Sequence, residues 1–173
     1  MKKYITLFFA IFLMAGIVSA QESDKNLKKL PSVQIKDLTG KTINTSELQN
    51  DGKPMIISFW ALWCKPCINE LTTIADVYQD WQEETGVKLV AVSIDDTRST
   101  AKVAPTVNAK GWEYEVLLDA NGDFKRAMNV NMIPHTFLIN GNGEIVWQHT
   151  SFSEGSELEL IEMVRKVNAG QPL

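Results

Sequence analysis

The chain has 173 residues, enough for one domain with a full core, and its 21 acidic residues against 17 basic ones give a net charge of −4. An acidic balance without a basic run leaves no electrostatic footprint for nucleic acid, so neither DNA nor RNA is an expected partner. Only two cysteines occur, three positions apart, which excludes a framework of long-loop disulfide staples.

Lys2 and Lys3 open the chain, residues 4–18 are almost wholly apolar, and Val18-Ser19-Ala20 offers small side chains before the polar Gln21-Glu22-Ser23-Asp24. The apolar run is about fifteen residues, short of the roughly twenty that a bilayer span needs. Residues 1–20 therefore read as a cleaved secretory signal. The chain is then exported, as a soluble periplasmic protein. The alternative is an uncleaved N-terminal anchor, which would leave the domain in the same compartment. No cysteine lies near the cut, so this is not a lipoprotein signal. Cleavage takes twenty residues from 173 and leaves 153; it also removes two of the 17 basic residues, leaving 15 against 21 acidic and a charge of −6.

Residues 21–31 are charged and polar and read as a flexible lead-in, with a single domain over 32–173. Residues 33–38 alternate and are followed by Thr39-Gly40-Lys41 and Thr42-Ile43, a small β-hairpin. Residues 46–48 suit one helical turn. Met55–Trp60 is a continuous apolar run bounded by turn residues, as a strand buried on both faces would be. From Pro66 the period changes to that of a helix, with Leu71, Ile74, Ala75, Tyr78 and Trp81 on one face and an end near Thr85-Gly86. Residues 87–94 form a second buried-type strand. Residues 99–110 are helical, with Pro105 starting, kinking or interrupting them. A short strand at 114–118, a turn at Asn121-Gly122 and a helical turn at 123–128 follow. Two apolar-rich runs, 136–139 and 144–149, are joined by Asn140-Gly141-Asn142-Gly143, a strong hairpin signal. A final helix over 153–169 carries Leu158, Ile161, Val164 and Val167. The order implies an α/β fold: a mixed central sheet with helices on both faces, an N-terminal β-hairpin extension, and an active end where the strand at 55–60 gives way to the helix.

The cysteines sit at that junction, in Trp63-Cys64-Lys65-Pro66-Cys67. Closing so short a loop removes little unfolded-state entropy, on the order of 2 kcal/mol, so the pair is poorly placed as a staple. It is well placed as a reversible redox couple. Pro66 suits a first helical turn, where its missing N–H would have had no partner. Free N–H groups and the positive end of the helix dipole point at the Cys64 sulfur and favour thiolate over thiol, as does the charge of Lys65. Cys64 is thus the expected nucleophile and Cys67 the resolving cysteine. Lys65 and Pro66, lying between them, tune the relative stability of thiolate and disulfide. A zinc site would need four ligands, and the only histidines, His135 and His149, are far from finger-like spacing. No metal and no cofactor are therefore expected. A copper(I) carrier remains the contrasting, non-enzymatic reading; it requires a histidine-dependent copper site.

The segment Ser58-Phe59-Trp60-Ala61-Leu62-Trp63-Cys64-Lys65-Pro66-Cys67 resembles the active-site stretch of thioredoxin-like proteins. Together with the hairpin, the export signal and Ile133-Pro134-His135-Thr136-Phe137-Leu138-Ile139, it makes residues 30–170 similar to the TlpA/ResA branch. The resemblance implies a thioredoxin fold and an exported, usually reducing, thiol–disulfide oxidoreductase; some relatives reduce apocytochrome c before haem attachment. It also implies a cis peptide bond at Ile133-Pro134 beside the cysteines, with the Ile133 backbone open to an extended substrate. Thioredoxin's buried aspartate is replaced here by Ser58, and Glu70, one turn after Cys67, matches a glutamate of the ResA-like branch. A carboxyl in apolar surroundings has a raised pKa and can accept a proton from Cys67; the alternative is an exposed first-turn glutamate. Trp63 is expected to cover the cysteines and contact partners, Trp60 to lie in the core, His135 to face the substrate groove or the surface, and His149 to be structural. An oxidase or isomerase would share this fold. A peroxidase of the peroxiredoxin kind commonly has threonine three residues before its cysteine, where Ala61 stands. The expected partners are a disulfide-bearing protein and a separate membrane electron donor.

Overall fold

Met55–Trp60 forms the central strand of the sheet, and all six of its residues are buried. A strand hidden on both faces needs a layer on each side and a neighbour on each edge. The computed structural model, which describes residues 27–173, supplies both. The signal assigned to residues 1–20 lies outside the described residues. Seven strands, β1 (Gln34–Asp37), β2 (Thr42–Asn44), β3 (Met55–Trp60), β4 (Lys88–Ser93), β5 (Glu115–Leu118), β6 (His135–Ile139) and β7 (Ile145–Thr150), pair in the order β2-β1-β5-β4-β3-β6-β7. The pairs β3/β4 and β4/β5 are parallel; the hairpin β1–β2 and the hairpin β6–β7 attach antiparallel.

Helix α1 (Lys65–Thr85) carries the chain from β3 to β4, and α2 (Val103–Lys110) from β4 to β5. Both crossovers step the same way along the sheet, so one handedness puts both helices on one face. Leu71, Ile74 and Trp81 of α1, Val103 and Val107 of α2, and Leu160, Ile161 and Val164 of α4 (Ser156–Asn168) share one core with Ile56, Trp60 and Leu89. The other face packs Ile57, Phe59, Val90, Val92 and Phe137 under the short α3 (Asp123–Ala127) and Leu30. Helices therefore flank both faces, as expected, but unevenly. Helix α1 stops at Gly86, whose φ of 69° is the left-handed cap that a Cβ would strain. Pro105 is the third residue of α2, preceded by a 3-10 turn at Thr100–Lys102. A missing N–H in the first turn costs no intrahelical bond, so the proline starts the helix rather than kinking it.

One boundary is corrected. Residues 28–31 belong to the domain, not to a loose lead-in. Leu30 is buried, Ile145 N–H donates to Lys28 O at 2.8 Å, Lys29 bridges Glu144, and Thr45 Oγ1 donates to Pro31 O. One apolar side chain and an open edge beside β7 hold a segment whose composition is otherwise that of a linker.

Candidate active site

At the end of β3 the chain turns through Ala61-Leu62-Trp63, and Cys64 becomes the N-cap of α1. Its Sγ accepts the N–H of Cys67 at 3.3 Å, its carbonyl accepts from Ile68 N–H at 3.0 Å, and no acidic residue occupies the first turn. A sulfur in this place meets partial positive charge from unpaired N–H groups, which stabilises its anion. Cys64 and Cys67 are disulfide-bonded, with their Cα atoms 5.3 Å apart. Cys64 is 5% exposed and Cys67 fully buried, so Cys64 is the sulfur a partner can reach. Lys65, Pro66 and Trp63 face solvent, Trp63 at 71% exposure. Asp95, which the sequence did not single out, braces the turn by accepting the N–H of Leu62 at 2.9 Å.

One turn beyond Cys67, Glu70 points into the core beneath α1. Thr136 Oγ1 donates to its Oε1 at 2.9 Å and Ser58 Oγ donates to its Oε2 at 3.1 Å, while the two hydroxyls lie 3.1 Å from each other. Burial pushes this carboxyl up to about 7, against the hydrogen bonds from Thr136 and Ser58, which favour the charged form. The three groups make a triangle with three edges. Ionised, it holds two protons, one per hydroxyl, and one edge is left without a hydrogen. Protonated, it holds three and every edge closes. Neither state leaves the carboxyl without a hydroxyl partner, which suits a group that takes and returns a proton near neutral pH. Ser58 occupies the place at which a buried acid would sit in thioredoxin; here the acid comes from the helix, and Ser58 binds it. Thr136 was missed as a site residue. Its signal was a hydroxyl at the head of the apolar run Phe137-Leu138-Ile139 in a buried strand, comparable to Ser58 within β3.

The Ile133-Pro134 bond is cis. Register places it: Phe59 pairs with His135, so residues 133–134 run beside the chain as it leaves β3 for Cys64. Ile133 packs on the cluster that contains both cysteines, and Pro134 is buried. Met132, 61% exposed, and Trp63 give this end of the sheet its exposed large apolar side chains. His135 is not brought to that groove. Strand alternation turns its ring to the opposite face from Thr136, where it stacks on Phe137 at 4.4 Å and its Nε2 meets Gln148 Oε1 at 3.1 Å. Burial, with the charge of His149, holds its pKa down. Trp60 is fully buried, edge-on to Trp112 at 5.2 Å. Among the described residues no three His, Cys, Asp or Glu side chains gather as a metal site, and no helix is long and apolar enough to cross a membrane.

The AhpC/TSA family matches residues 27–148. The thiol-disulfide oxidoreductase ResA of Oceanobacillus iheyensis is 31% identical over 149 residues, covering 82% of this chain and 75% of that protein. ResA of Bacillus subtilis is 30% identical over 141 residues, covering 82% and 73%. Among solved structures, a thioredoxin-like protein from Porphyromonas gingivalis is 58% identical with a TM-score of 0.73, covering 81% of this chain and 92% of that one. A structure described as a thiol:disulfide interchange protein DsbE from Chlorobium tepidum is 25% identical, with a TM-score of 0.71 and coverage of 82% and 96%.

Proposed function

This chain belongs to the AhpC/TSA family, among the ResA-like, thioredoxin-fold thiol–disulfide oxidoreductases, and on that footing we propose that it works outside the cytoplasm as a reductant of disulfides in partner proteins. The observation that carries this reading is the pairing of a helix-capping sulfur at Cys64 with a buried carboxyl near neutral pKa at Glu70. Ala61, buried three residues before Cys64, offers no hydroxyl there for a peroxide.

The Cys64 thiolate attacks a substrate disulfide; a Cys64–substrate S–S bond forms, the substrate's own S–S bond breaks, and the first substrate sulfur leaves as a thiolate that takes a proton from water. Cys67 then gives its proton to Glu70 and its thiolate attacks Cys64 Sγ. The Cys64–Cys67 bond forms, the mixed disulfide breaks, and the second substrate sulfur leaves as a thiolate that takes a proton from water. Two electrons pass to the substrate, and a separate membrane donor restores the dithiol. Pro134 and the Ile133 backbone form the edge against which an extended substrate segment lies, in the manner of an added β-strand, with Trp63 beside it. Lys65 and Pro66 set the potential. His135, buried on the other face, keeps a packing role. Apocytochrome c, oxidised before haem attachment, is among the clients this chemistry fits; export rests on the charged-apolar-small pattern of residues 1–20.

The test replaces Cys67 with Ser in the native host and identifies what stays disulfide-linked to Cys64. Capture of an extracytoplasmic protein with paired cysteines, together with a reducing potential, supports the reading. Capture of no partner overturns it.

A further inference from the structure

One row of residues crosses the sheet on the face beneath α1 and α4. Ser58 of β3 pairs with Thr136 of β6, and Thr136 pairs with His149 of β7. Residues directly opposite in antiparallel strands project to the same face with Cβ atoms about 5 Å apart, so Ser58, Thr136 and His149 form a polar line through an otherwise apolar layer. Ser58 and Thr136 hold Glu70. His149 sits at the rim, half-buried and stacked on Trp147 at 5.7 Å. A small cavity joins the two ends: Glu70, Thr136, His149, Phe152 and Glu157 all line it. It has room for about one water; Ile74, Trp147, Phe152 and Leu160 make most of its wall, and Glu70, Thr136 and His149 are the polar groups along it that a water could meet.

We propose that this row is the route by which the proton taken up by Glu70 reaches solvent, with His149 as its outer member. The inference rests on the reading of Glu70 as acceptor of the Cys67 proton. That carboxyl is buried beneath α1 and returns to its ionised state only if the proton has a way out; the face towards β7 provides it. The transfer balances simply: protonated Glu70 and neutral His149 become carboxylate and imidazolium, through a bridging water, and the imidazolium loses its proton to bulk. An imidazole suits this duty because it changes charge near neutral pH. The charged and titratable groups that line the cavity with His149 are Glu70 from α1 and Glu157 from α4, whose carboxylate accepts the N–H of Gly155 at 3.1 Å; His135 of β6 lies on the opposite face of the sheet and feels His149 only through charge. His149 is a positioning residue in this scheme, because it acts on the cysteines only through Glu70.

The test follows steady-state release of a reduced peptide from an excess of a disulfide-bonded peptide probe from pH 5.5 to 8.5, with a small-molecule dithiol regenerating the reduced protein between turnovers. Native chain, His149→Gln, Glu70→Gln and the double variant are compared, with His149→Ala assayed with and without added imidazole. His149→Gln is expected to slow release about five-fold near pH 7, imidazole to restore the rate in His149→Ala, and the His149 change to add nothing once Glu70 is Gln. An unaltered pH–rate profile for both His149 variants, while Glu70→Gln slows release, overturns the route and leaves Glu70 its role. Equal losses in both backgrounds reveal a packing role and overturn it too. A Glu70→Gln protein as fast as the native chain removes Glu70's role and the route together.

Discussion

Along β3, neighbouring residues leave the sheet in opposite directions, and Ser58 and Phe59 enter very different surroundings. Ser58 joins Thr136 and Glu70 in a hydrogen-bonded triangle under α1. Phe59 enters a cluster with Phe124 at 5.2 Å and Phe137 at 6.0 Å, under α3. The aromatic face gains stability from burying apolar area. The α1 face forgoes some of that gain by burying a carboxyl, and holds a group that can change charge close to the reacting sulfurs. Both sides of the sheet bury an apolar core, and the α1 side also carries the chemistry.

If that division holds, damage to the two faces should give different phenotypes. Phe124→Ala removes a fully buried ring and should cost about 3–5 kcal/mol of stability. Urea unfolding should show this, while the pH dependence of disulfide exchange in the folded fraction stays unchanged. Glu70→Gln should do the reverse. Because folding raises the Glu70 pKa from 4.5 to about 7, native Glu70 favours the fold in its neutral form. That contribution is fully present below about pH 4.5 and is lost as pH rises through 7. The Gln variant should therefore be more stable than the native chain at pH 8, by on the order of 3 kcal/mol, with the difference closing by pH 4, and it should exchange more slowly. Equal stability of the two proteins at both pH values would contradict burial of a titrating carboxyl. Thr136→Val deletes a hydrogen bond that favours the ionised carboxyl, so the exchange profile should move to higher pH by about one unit. Smallest of all, His135→Phe keeps the stack on Phe137 and loses only the bond to Gln148; exchange should change by less than about two-fold. A large loss there would bring His135 back to the groove.

Much of this architecture could be read in the chain. The unbroken apolar run at 55–60, the change of period at Pro66 and the Asn-Gly pairs between residues 140 and 143 report local physics, and local physics decided those elements. The helix-capping sulfur followed from the same reasoning, since a strand-to-helix turn leaves free N–H groups wherever it occurs. What escaped was long-range. Thr136 becomes a ligand of Glu70 only because β6 lies against β3 in one register, 66 residues away in sequence. His135 could not be sided without that register, for one residue's shift moves a side chain to the other face. Leu30 looked like part of a linker because two leucines, Leu27 and Leu30, among charged and polar residues are too few to set a period; only the edge of β7 and the core beneath it show where Leu30 goes.

The central claim is that Cys64, at the positive end of α1, ionises readily once the disulfide is opened. The measurement is thiolate absorbance of the reduced domain from pH 3 to 10, with Cys67→Ser used to isolate the Cys64 transition. The account predicts a transition clearly below the ordinary cysteine value of about 8.5. A Cys64 that titrates at or above that value would contradict it.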